Sequence, residues 1–215
     1  MKKTIFILLI AALCRNAEAQ NARIGIAAGF SIANMHSKVD GETDNGNSKI
    51  GILAGFVADL PLSGQFSFQP RLQFVQKGTK DEQTSGGVTE KAQLGINYLE
   101  LPLNFLYHPK RANGFFIGAG PSVGIGISGK AKYTYSGTSL SSDIKFGNSD
   151  EDDIRRMDLG ANFTTGICFQ NGIFLSANYN QGLNNLLPGG SGDGTIKNHY
   201  FGIQLGYFLN GKKSK

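Results

Sequence analysis

The sequence predicts an all-β protein: an eight-stranded antiparallel up-and-down transmembrane β-barrel with short periplasmic turns and four long extracellular loops. Three observations carry this. Eight segments alternate apolar residues with small or polar ones at a period of two. Most run past ten residues, whereas strands of soluble domains centre on about five or six and a tilted membrane crossing needs roughly nine to eleven. The connections alternate short and long, as they must when both termini of an up-and-down barrel face the periplasm.

The segments are Arg23 to Met35, Lys49 to Leu60, Gln65 to Lys77, Lys91 to Tyr107, Gly114 to Ser128, Arg156 to Gln170, Gly172 to Gly182 and Lys197 to Asn210. In the first, Ile24, Ile26, Ala28, Phe30 and Ile32 oppose Gly25, Ala27, Gly29 and Ser31. The second carries Ile50, Ile52, Phe56 and Leu60 on one parity. The fourth changes parity, with Leu94, Ile96 and Tyr98 outward before a break and Leu99, Leu101, Leu103 and Phe105 outward after it, so a bulge is expected near Tyr98. The sixth alternates through Leu159, Ala161, Phe163, Ile167 and Phe169, and the eighth through Phe201, Ile203, Leu205, Tyr207 and Leu209. Pro61 to Gly64, His108 to Asn113 and Asn171 are the short turns; 36–48, 78–90, 129–155 and 183–196 are the long loops. Pro70, Pro102 and Pro121 fall in three neighbouring strands, where each removes a ladder hydrogen bond; a tolerated set of bulges is expected there rather than a partner seam.

The fifth segment explains a misleading motif. Gly124 to Ala131, read GIGISGKA, satisfies GxGxxG and nearly satisfies GxxxxGK[ST], yet the hydroxyl position is Ala131 and no helical periodicity follows. From Phe115 the residues alternate instead, so the glycines belong to a strand face and the isoleucines to the opposite one. A period of two does not say which face is outside, and a soluble barrel enclosing a ligand would turn its apolar face inward. The other face here is Gly-, Ala- and Ser-rich, a poor water-facing surface but suited to the crowded interior of eight strands, which places the apolar face in lipid.

The opening MKKTIFILLIAALCRNAEAQ has two lysines, an apolar run and a small-x-small site at Ala17 to Ala19, and reads as a signal peptide over 1–19 before a barrel domain over 20–215. Removing Lys2, Lys3, Arg15 and Glu18 from 21 basic and 16 acidic residues leaves 18 and 15, a net charge of +3. No Lys/Arg run argues for nucleic acid. Cys14 leaves with the signal, and Cys168 alone makes no disulfide framework.

The stretches GIAAGFSIANM (Gly25 to Met35), FSFQPRLQFVQKG (Phe66 to Gly78), YLELPLNFLY (Tyr98 to Tyr107) and HYFGIQLGYF (His199 to Phe208) resemble the small outer-membrane β-barrel family common in Bacteroidota, often called PorT-like. The likeness covers nearly the whole mature chain, and YLELPL after a strand ending QKG is its most specific part. It implies an eight-stranded barrel in the outer membrane of a Gram-negative bacterium. The last strand also resembles the signal read by the barrel-assembly machinery, with Gly202, Leu205 and Tyr207 at its glycine, hydrophobic and aromatic positions.

Within the barrel, Arg71 and Glu100 share the inward parity at similar depth and are expected to pair as a luminal plug. Lys49, Lys77, Lys91, Lys130, Arg155, Arg156 and Lys197 fall near the outer rim, where lipid phosphates sit, and are candidate headgroup contacts. The histidines at 36, 108 and 199 form no recognisable Ser–His pair, since His36 and Ser37 face opposite ways. The acidic run Ser149 to Asp153 lacks the spacing of a calcium loop. The expectation is therefore a non-enzymatic barrel without cofactor. Its role is envelope-structural or recognition by the loops, with outer-membrane lipid around it and an extracellular or envelope protein as partner. The alternatives are a lipid-modifying barrel enzyme and a component of a secretion assembly.

Overall fold

A computed structural model of the chain describes residues 22–39, 42–85, 88–110, 113–189 and 194–209; the expected signal peptide lies outside them. Among these residues ten strands form in chain order: β1 (Arg23–Val39), β2 (Glu42–Asn45), β3 (Asn47–Ser63), β4 (Phe66–Ser85), β5 (Val88–Tyr107), β6 (Phe115–Tyr135), β7 (Thr138–Asp143), β8 (Met157–Cys168), β9 (Ile173–Gly182) and β10 (Thr195–Phe208). Eight close a ring in the order β1-β3-β4-β5-β6-β8-β9-β10, sealed by antiparallel pairing of β1 with β10 from Gly25↔Phe208 to Lys38↔Thr195. Closure leaves no strand edge in lipid, where an unpaired N–H or C=O finds no water. No helix among the described residues is long and apolar enough to cross a membrane.

The apolar parity faces out. Phe30, Ile50, Phe56, Phe105, Phe163 and Leu205 are all more than half exposed, while their sequence neighbours Ser31, Val57, Asn104 and Gln204 are buried. Such a surface is stable only against hydrocarbon. Electrophoresis in SDS is accordingly expected to show a compact band that migrates faster unboiled and slows on heating. Equal migration, with the protein recovered from the soluble periplasm, would reverse the two faces.

The long loops hold more structure than their polar composition suggested. β4 and β5 stay paired to Ser85↔Val88, and β6 turns through Ser136 and Gly137, both at positive φ, into β7. At 20, 20 and 21 residues, β4, β5 and β6 are about twice the length a crossing needs and stand in water as ribbons. On the periplasmic side the turns are tight; Gly64, at φ 58° with open space around it, is there for its backbone conformation alone.

Two expectations about strand regularity are corrected. β5 keeps one parity throughout: Ile96 and Tyr98 are fully buried, in phase with Glu100 and Asn104. The irregularity between Asn97↔Ser128 and Tyr98↔Gly126 places the extra residue, Ile127, on β6. The apolar residues of outer β5 point inward because folded loops give them something apolar to meet. Nor do the prolines make bulges. Pairing skips beside each of them, from Val57↔Arg71 to Leu60↔Phe68, from Pro70↔Leu103 to Gln73↔Glu100 and from Pro102↔Ser122 to Phe105↔Ala119, while register is unchanged across every gap.

Candidate functional site

The interior of an eight-stranded barrel is about wide enough for side chains alone, and here it is filled in three layers. The outermost is apolar. Ala33, Met35, Leu53, Val75, Ile96, Tyr98 and Tyr200 from the wall meet Ile154 and Leu186 from the loops, with Ile144 and Phe146 packed against them. The segment after β7 folds back over the mouth, held by a parallel bridge Phe146↔Ile154. Two glycines of GIGISGKA, Gly126 and Gly129, make room for it. A Cβ at Gly126 would collide with the Phe146 ring, and one at Gly129 would crowd Ile144. In that loop Asp152 and Asp153 accept bonds from the backbone N–H groups of Ser149 and Lys145, both at 2.8 Å. The acidic run therefore braces its own turn.

The middle layer is one polar network. Lys77 Nζ lies 2.6 Å from Glu100 Oε2 and 3.0 Å from Asp158 Oδ2, with all three side chains about 1% exposed. It also sits 5.0 Å from the ring centres of both Tyr98 and Tyr200. Tyr200 donates to Glu100 at 2.6 Å and Asn198 to Asp158 at 3.0 Å. Gln73 donates to Glu100 at 3.0 Å. Arg71 donates to Gln204 at 2.6 Å, to Gln69 at 2.7 Å and to Ser176 at 3.3 Å. Toward the periplasm, Arg23 binds Asp59 and lies 4.5 Å from the ring centre of Phe208, which stacks on Phe174. Lys77 and Arg23 thus meet three carboxylates, while Arg71 is hydrogen-bonded to neutral groups and brings the cations to three, so that charge is balanced in a space that hides it from water.

The expected luminal pair is present in composition but not in partners. Arg71 and Glu100 are both buried, yet Arg71 is held by amides and a hydroxyl, and the cation at Glu100 is Lys77. Lys77 is consequently not a headgroup contact: it shares the odd parity of Arg71 and Gln73 on β4, so pleating alone puts it inside. Asp158 and Tyr200 completed the cluster without being singled out beforehand, although Asp158 stands on the small-residue parity of β8. Arg155 is tied to the carbonyls of Asn185 and Gly189 at 3.4 and 3.2 Å, and Arg156 lies 5.4 Å from the Phe146 ring centre. Both serve the cap. Lys91 pairs with Glu82 at 2.8 Å on the exposed ribbon, and Lys197 is half-buried opposite His36 on β10. Lys49 and Lys130 flank Gly95 on the outer wall.

A Ser–His contact does occur where neighbouring residues did not suggest one: Ser67 Oγ is 2.9 Å from His108 Nε2 at the periplasmic turn. Burial pushes the His108 imidazole below its ordinary range, Asp59 opposes that, and Arg23 adds to it. Among the described residues no carboxylate is hydrogen-bonded to the His108 ring, the arrangement by which a hydrolase orients its base; Asp59, whose charge reaches the ring, binds Arg23 through Oδ2. Above the cap, between the ribbons, a cavity of about 550 Å³ opens outward, lined by Met35, Thr79, Leu94, Tyr133, Leu140 and Ile196.

Solved structures are similar to this chain at low identity. Ail, the attachment invasion locus protein of Yersinia pestis, is 14% identical over 86% of this chain and 99% of its own, with a TM-score of 0.42. Neisserial surface protein A is 8% identical over 87% and 98%, with a TM-score of 0.41. No curated protein matches the chain in sequence. A family model described as outer membrane protein beta-barrel domain matches residues 18–187. A closed ring of eight strands with lipid-facing apolar residues, together with that match over most of its length, makes this chain a member of the outer membrane protein β-barrel domain family, located in the outer membrane.

Proposed function

We propose that this chain is a non-catalytic outer-membrane barrel whose working surface is its extracellular ribbons and cap, not its lumen. The observation that carries the reading is the filled interior: the apolar cap, the Lys77–Glu100–Asp158 layer and the Arg23–Asp59 layer stack across the whole axis. A barrel so filled offers solutes no water column. What it offers outside is a rigid scaffold carrying long paired ribbons, the arrangement in which recognition is commonly placed. Ser67 is 3% exposed, so the Ser67–His108 pair has no surface to present to lipid and reads as a turn fastener. The PorT-like resemblance of YLELPL and its neighbours agrees with a role in the envelope of a Bacteroidota cell.

Single-channel recording in planar bilayers tests this. The reconstituted chain is expected to give no steps above baseline, and a variant whose ribbons are trimmed at 80–93 and 132–141 is expected to stay closed, because the Lys77 layer lies below both cuts. Sustained conductance from the intact chain would overturn the reading in favour of transport.

A further inference from the structure

Of the basic residues expected near the rim, Lys49 and Lys130 converge with Lys132 on the outer wall, over a patch without side chains. Gly78 of β4 pairs directly with Gly95 of β5. Gly95 and Gln93 share the parity of the exposed Leu99, Leu101 and Phe105, so this patch faces away from the lumen. Across the next ladder Gly95 pairs with Lys130 and Gln93 with Lys132, placing both lysines on that same side. From β3, Lys49 reaches over: a Cβ at Gly95 would stand 3.4 Å from both its Cε and its Nζ. Lys49 turns outward because β3 carries one residue more than β4 between the pairs Ser48↔Thr79 and Leu53↔Val75, a bulge that re-aims side chains.

The result is a recess of about 380 Å³ walled by Lys49, Lys130 and Lys132, floored by Gly95, with Gln93 and Ser141 as neutral donors. Among the described residues the carboxylate paired there is Asp143, 3.8 Å from Lys130, and both side chains are more than 70% exposed, so water screens the contact. A second recess of about 490 Å³ shares Lys49, Gly95 and Lys130 and is lined by Ile127 on one side and by Asp143, Ile144 and Phe146 of the segment leaving β7 on the other. Ile127, Ile52 and Ile50 below it are 52%, 54% and 70% exposed on the lipid face. A cationic recess opening onto an apolar wall matches an amphiphile with an anionic head and acyl tails. We infer that Lys49, Lys130 and Lys132 form a binding site for the phosphate of a phosphorylated outer-leaflet lipid, seated over the Gly78–Gly95 patch with its chains along Ile50 and Ile127.

Native mass spectrometry of the full chain in neutral detergent, titrated with phosphatidic acid, tests this. The wild type is expected to retain phosphatidic acid and not the uncharged diacylglycerol. K49Q/K130Q/K132Q is expected to bind it roughly a hundredfold more weakly, the combined effect of three lysines at an anionic lipid surface. K91Q/K197Q, which changes rim lysines outside the recess, should bind as the wild type does. All five positions lie at the water-exposed end, so each variant should keep its heat-modifiable band. Equal retention by the triple variant would overturn the site, and full competition by equimolar inorganic phosphate would overturn its assignment to a lipid.

Discussion

Lys77→Met is expected to destabilise the barrel by about 3–5 kcal/mol, the cost of breaking a buried ion pair by removing one partner. The side chain fits the space; the loss is electrostatic. Glu100 would keep its bonds from Gln73 and Tyr200, and Asp158 its bond from Asn198, but two carboxylates about 1% exposed would face each other without a cation. The loss of two tyrosine faces around the ammonium adds to it. The measurement is the urea midpoint of the heat-modifiable band in lipid vesicles, since the chain has no tryptophan to report unfolding. K77M/E100Q/D158N, which leaves the same shape with no charge, should recover most of the loss. If the triple variant unfolds as early as K77M, the cost belongs to packing and the electrostatic account fails. Glu100→Gln alone should cost less than Lys77→Met, because Lys77 retains Asp158.

The eight ring strands were legible because a membrane barrel writes its pleat directly into composition: every second residue must be apolar to meet lipid, and the alternate ones must be small or polar. The same rule misplaced residues wherever the lumen departs from it. Ile96 and Tyr98 are apolar yet inward, because Ile144, Phe146, Ile154 and Leu186 fold back from the loops and make the outer third of the lumen a small hydrophobic core. Nothing in the period of β5 announces a loop some fifty residues later in the chain. Lys77 was read by height and not by parity; following Arg71 and Gln73 two residues at a time would have placed it inside. The network's partners were harder to see, since Lys77 and Asp158 are 81 residues apart and meet only after the ring closes. Ribbons β4–β5 and β6–β7 were hidden by polar composition, because their outer halves have water on both faces and no reason to alternate.

Phe56→Arg is expected to cost about 2–4 kcal/mol, the penalty for arginine at the bilayer midplane on the lipid face of a barrel. Phe56 is 64% exposed and pairs with Ile26 on one side and Leu72 on the other, midway along the crossing parts of all three strands. Leu140→Arg is the comparison. Leu140 is 71% exposed, more than Phe56, but lies on β7 beyond the crossing length of β6, where arginine meets water. It should shift the urea midpoint by no more than an ordinary surface change, about 0.5 kcal/mol. Exposure alone would give the two substitutions nearly equal, small costs, so the difference measures which solvent each side chain meets. A soluble barrel with the same coordinates would tolerate both. In lipid, apolar contact with the surroundings contributes nothing to holding strands together, and the ring rests on its ladders and its packed lumen. A single outward charge at mid-depth therefore acts on the bilayer and leaves the interior intact. The F56R barrel should still run as a fast unboiled band wherever it has folded, at a lower urea midpoint.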